Sequence, residues 1–154
     1  MSLTARYGHT NLIARDWQTL AAFYERVFGC VPVPPVRDLE GDALERGTGV
    51  PGARLQGVHL RLPGCGDAGP TLEIFTYSTS AERLPAAADR PGSGHIAFGV
   101  SDVVAARDEV IEAGGSSHGD IVSTQAGAGT VTWAYVRDPE GNLIELQSWS
   151  DAAP

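Results

Sequence analysis

Apolar positions in this chain follow two periods, and the points where one gives way to the other outline its elements. Leu20, Phe23, Tyr24, Val27 and Phe28 recur at i, i+3, i+4, i+7 and i+8, the stripe of an amphipathic helix. Asp16 stands where an N-cap belongs, because its short carboxylate can accept from the unpaired amides of a first turn. Val103, Ala106, Val110 and Ile111 repeat the stripe behind Asp102, and Gly114 with Gly115 supplies a left-handed stop. Elsewhere the period falls to two. "TLEIFTY" (71–77) and "NLIELQSW" (142–149) alternate as strands, and "VPVPPV", "LQGVHLRL", "HGDIVS" and "TVTWAYVR" provide two further strands before each. "DPEGN" (138–142) is the turn that closes a hairpin into the last strand.

These elements occur twice. "YGHTNLIARD" (7–16) is answered by "SGHIAFGVSD" (93–102), and with His9 laid on His95, Asp16 falls on Asp102 and Gly29 on Gly115. Near the end of each copy a glutamate follows a glycine by four positions inside an apolar strand, giving Glu73 and Glu145. Each half therefore reads βαβββ, an α+β pattern. The boundaries are about 7–78 for module one, 79–93 for a connector and 94–149 for module two, within a single domain spanning 1–154. Histidine to glutamate is 64 residues in the first copy and 50 in the second. The surplus falls in "DLEGDALERGTGVPGAR", 38–54, which shows no clean period and is expected to be a long loop.

A glutamate inside an apolar strand needs compensation, since burying an unpaired carboxylate costs several kcal/mol, of order 2–7 even for uncharged polar groups. If a pseudo-twofold relates the halves, His9, Glu73, His95 and Glu145 can converge on one point. Two imidazoles and two carboxylates suit a divalent cation, which neutralises both charges. Strand parity agrees: Glu73, Phe75 and Tyr77 share one face against Leu72 and Ile74, and Leu143, Glu145, Gln147 and Trp149 share one against Ile144 and Leu146. The glutamate faces are mixed polar and aromatic, which suits a small-molecule substrate.

Composition narrows the function further. A net charge of -8 and a pI near 4.8 oppose binding to nucleic acid, which requires a basic face. No apolar run approaches the roughly 20 residues that cross a bilayer, so no membrane partner is expected. The start "MSLTARYGHT" resembles no targeting segment, which makes a cytoplasmic location the expectation. Cys30 and Cys65 lack paired spacing and read as two reduced thiols.

The motifs "GHTNLIARD", "LEIF", "GHIAFGVSD" and "DPEGNLIEL" resemble the vicinal oxygen chelate superfamily, which includes glyoxalases, bleomycin-resistance proteins and extradiol dioxygenases. The likeness runs over about residues 7–149. It implies two tandem βαβββ modules forming a cupped mixed sheet around one divalent metal ion (Zn, Ni, Co, Mn or Fe), commonly in a homodimer. It also implies His9, Glu73, His95 and Glu145 as metal ligands. The superfamily strategy of bidentate binding of substrate oxygens to the metal implies an isomerase, epimerase or lyase, with Glu145 and Glu73 as the catalytic carboxylates. Glyoxalase I (lactoylglutathione lyase) of the bacterial type has an arginine four residues after the first histidine and an asparagine four after the first glutamate, gripping glutathione. Here those positions are Ile13 and Tyr77. Ring-cleaving dioxygenases use two histidines and one carboxylate, which makes Glu73 surplus, and the non-catalytic antibiotic-binding members generally lack the ligand set. His59, Tyr77, Trp133 and Trp149 are the further candidates for touching substrate, with an edge or core-filling role as the alternative for each, and His118 is expected on the surface.

Overall fold

Asp16 and Asp102 begin helices in the way their spacing predicts. After β1 (His9–Ile13), Asp16 Oδ1 accepts from the Gln18 and Thr19 amides at 3.0 and 3.1 Å, opening α1 (Trp17–Phe28). After β5 (Ile96–Gly99), Asp102 Oδ1 accepts from the Val104 and Ala105 amides at 2.8 and 3.1 Å, opening α3 (Val103–Glu112). Gly29 ends α1 in the left-handed region at φ 66°, and Gly114, beyond the last turn of α3, takes φ 94°, both conformations that a side chain would oppose.

The computed structural model describes residues 4–150; residues 1–3 and 151–154, the two ends of the expected 1–154 domain, lie outside the described residues. The chain divides into two compact units, Met1–Glu82 and Arg83–Pro154. The first unit adds β2 (Val31–Glu40), α2 (Asp42–Thr48), β3 (Arg54–Arg61) and β4 (Thr71–Tyr77) to β1 and α1. Its sheet runs β1-β4-β3-β2, with β1 parallel to β4 and the other pairs antiparallel. The second adds β6 (Ser116–Ala126), β7 (Gly129–Arg137) and β8 (Leu143–Ser150), in the order β5-β8-β7-β6 with the same pattern of directions. The two βαβββ modules are thus two four-stranded mixed sheets, the glyoxalase-like α+β fold. Even the irregularities repeat: β2 slips register between Val33 and Arg37, and β6 between His118 and Val122. Pro34–Pro35 is a cis peptide within the first slip.

Three expectations are corrected. Residues 38–54 are not one long loop. β2 continues through Glu40, and α2 follows, bounded by Gly41 (φ 102°) and Gly49 (φ 71°), with Asp42 and Glu45 in its first turn, where acidic groups meet the positive end of the helix dipole. Ile111 does not belong to the buried stripe of α3: it is 46% exposed, and Val103 and Val110 carry the burial. His118 is half-buried rather than on the open surface, its Nδ1 lying 3.2 Å from a guanidinium nitrogen of Arg137.

In each unit the core lies between one sheet face and its helix. Leu72 and Ile74 of β4, with Val58 and Leu60 of β3, are buried on the α1 side; Ile144 and Leu146 of β8, with Ala134 and Val136 of β7, are buried in the second unit. Each fully buried Leu or Ile contributes about 1.5–3 kcal/mol. The turn into β8 is held by Asp138, whose Oδ1 accepts from the Glu140 and Asn142 amides (both 2.9 Å) while Asn142 Nδ2 donates to Oδ2 at 2.6 Å. Arg83 donates to Asn142 Oδ1 at 2.5 Å.

Candidate metal centre

In the first unit the register puts His59 of β3 directly across from Glu73 of β4, with Asn11 of β1 on the other side. The Glu73 side chain is 11% exposed and two imidazoles meet the same oxygen: His9 Nδ1 lies 3.3 Å, and His59 Nε2 3.2 Å, from Oε1. Asn11 Nδ2 donates to the Glu73 carbonyl at 3.4 Å. Burial holds the His59 imidazole below its ordinary pKa against the opposing pull of the Glu73 charge, so the ring is neutral near pH 7. The Phe75 ring lies 5.8 Å from that of His59.

The second unit repeats the histidine–glutamate pair with different neighbours. His95 Nε2 lies 2.9 Å from Glu145 Oε2, and the residue across the strand from Glu145 is Tyr135. Tyr135 stands 5.0 Å ring to ring from His95 and 5.4 Å from Trp133. Partial burial, with the Glu145 charge adding to it, raises the phenol above its ordinary pKa. Sequence reasoning missed Tyr135. The signal was the hairpin register, since a turn centred on Glu140 pairs position 135 with 145.

The four expected ligands therefore come together as two histidine–glutamate pairs, His9 with Glu73 and His95 with Glu145, one in each unit. Among the described residues no group of three or more His, Cys, Asp or Glu side chains is arranged to hold an ion. Each pair nevertheless offers two donors of the kind such a set uses. Donors about 2.1 Å from one small cation lie roughly 3.0–3.4 Å from each other, and the pairs span 2.9 and 3.3 Å. The chemistry, imidazole nitrogen with carboxylate oxygen, suits a borderline divalent ion.

The other candidates are dispersed. Tyr77 borders a cleft of about 570 Å³ at the N-terminal end of α1, together with Trp17, Arg54 and Gln56; neither histidine of this unit nor Glu73 lines it. Trp133 is half-buried beside Tyr135. Trp149 is 60% exposed, its indole N–H donating to Gln147 Oε1 at 2.9 Å. Ile13, at the end of β1, is 46% exposed and pairs with Phe75.

A family model described as the Glyoxalase/Bleomycin resistance protein/Dioxygenase superfamily matches residues 6–146, and the chain belongs to that superfamily. A probable lactoylglutathione lyase of Vibrio parahaemolyticus is 45% identical over 56 residues, which are 34% of this chain and 37% of that protein. The match thus spans little more than a third of that relative's length. Among solved structures, a glyoxalase family protein from Bacillus cereus aligns with a TM-score of 0.80 at 18% identity, covering 96% of each chain. A glyoxylase/bleomycin resistance protein/dioxygenase domain from Frankia aligns with a TM-score of 0.60 at 16% identity, covering 99% of this chain and 96% of that one. At these identities the structures speak to the fold. No described helix is long and apolar enough to cross a membrane.

Proposed function

We propose that this chain is a divalent-metal-dependent isomerase, epimerase or lyase that abstracts a proton beside a carbonyl of a small oxygenated substrate. The observation that supports it is the histidine–glutamate pair written twice at matching places in the two modules. His9, Glu73, His95 and Glu145 would hold the ion, whether Zn, Ni, Co, Mn or Fe. When bound, it supplies Lewis acidity, which lowers the pKa of the C–H next to a coordinated carbonyl.

Glu145 is the proposed base. Its side chain is 20% exposed against 11% for Glu73, and it meets one imidazole where Glu73 meets two. A carboxylate with fewer fixed partners is better able to take a proton from carbon and return it. Tyr135 stays protonated at neutral pH and can donate to a substrate oxygen, and Trp133 beside it offers an apolar wall; His59, Tyr77 and Trp149 are the remaining proposed substrate neighbours. A cytoplasmic homodimer is the proposed working form.

The test is solvent exchange. With nickel, cobalt, manganese or zinc supplied, a panel of hydroxy-ketones and 2-oxo compounds in D2O is expected to include one that gains deuterium next to the carbonyl. Glu145→Gln should abolish the exchange. A panel in which no carbon acid exchanges with the parent chain ends this reading.

A second reading, lactoylglutathione lyase, is favoured by the name of the partial Vibrio relative. Against it stand Ile13 and Tyr77, where the resemblance leads one to expect glutathione-gripping polar residues. Isomerisation of the hemithioacetal of methylglyoxal and glutathione, measured against the thiol-free substrate, separates the two.

A further inference from the structure

The two histidine–glutamate pairs are not equivalent, and one of the differences lies on the neighbouring antiparallel strand. Across the strand from Glu73 stands His59; across from Glu145 stands Tyr135. His59 Nε2 is 3.2 Å from the Glu73 oxygen that His9 also meets, and at 25% side-chain exposure it is half-buried. We propose that His59 is a positioning residue: its ring N–H donates to Glu73 Oε1 and fixes the rotamer of that carboxylate. Glu73 is then the stationary ligand of the pair of glutamates. Glu145 meets His95 alone among imidazoles, with Tyr135 across the strand, and has no counterpart of this support. This assignment rests on the metal reading above and adds to it a residue outside the four ligands.

The physical reason is that a ligand carboxylate has several rotamers, and an ion selects one of them at an entropic cost. A neighbouring donor that already holds the carboxylate removes that cost before binding. Loss of such a supporting hydrogen bond typically weakens metal affinity 10–100-fold. Burial in the sheet makes the effect larger than on an open surface, because a carboxylate that loses its donor there has less water to replace it.

Cobalt(II) is the probe, titrated into the chelator-treated full-length chain and followed by its visible absorption, with His59→Leu and His59→Gln compared after their melting temperatures have been checked against the parent. Leu fills similar space and cannot donate; Gln can donate through its amide. The expected result is a 10–100-fold weaker cobalt affinity for His59→Leu, affinity near the parent for His59→Gln, and the same visible band in all three. Parent-like affinity in His59→Leu overturns the positioning role, as does a Gln variant as weak as the Leu variant. A changed cobalt band in His59→Gln would make His59 itself a ligand and likewise overturn it. These outcomes leave the metal reading standing, provided the parent binds cobalt and His9→Ala does not; a parent that binds no cobalt overturns both.

Discussion

Glu73 is 8% exposed as a residue, yet it sits in the middle of a strand whose neighbours Leu72 and Ile74 are fully buried; its two imidazole partners are what make that burial tolerable. The same face depends on Gly57, across from Phe75. A Cβ there would collide with the Ile74 carbonyl and the Phe75 ring, so the aromatic beside His59 can lie down only because position 57 has no side chain. Gly57→Ala is expected to destabilise the first unit by about 1–3 kcal/mol, read as a lower urea midpoint. Cys30 gives a second residue-scale expectation. Burial, with the Glu25 charge adding to it, raises its thiol from 9.0 to about 11, so the folded state keeps the proton that the unfolded state releases. Stability from this group is fully present below pH 9 and declines as pH rises toward 11. Iodoacetamide at pH 8 should label the exposed Cys65 and spare the buried Cys30, as a peptide map of the native protein would reveal.

Among the elements, the helices rest on their caps. The hydrogen bond from the Thr19 hydroxyl, then that from the Thr19 amide, lowers the Asp16 pKa below its ordinary 3.8. A depressed carboxylate stabilises above its unfolded pKa, so the α1 cap should weaken as pH falls below about 3.8, seen as helical signal lost early in an acid titration. Asp102→Ala should cost about 1 kcal/mol, because two amides of the first turn of α3 lose their acceptor. Both caps were legible from spacing alone. α2 was not: seven residues give too few turns for an apolar period to declare itself, and among its residues none is buried. Its only sequence marks are the flanking glycines and an acidic first turn.

For the whole molecule, the proposed metal reading asks one histidine–glutamate pair of each unit. One divalent ion per chain is expected for the parent protein, and none for His9→Ala or for His95→Ala, measured by elemental analysis after purification without chelator. The sequence by itself determined the duplication, the βαβββ order, the helix caps and the identities of the two histidine–glutamate pairs, because periodicity and spacing report on local geometry. Tertiary structure alone decided that His59 grips the same oxygen as His9 and that Trp149 lies open while Glu73 is buried. Strand register and burial arise from pairings between segments far apart in the chain, and a single sequence shows those only where a tight turn fixes them.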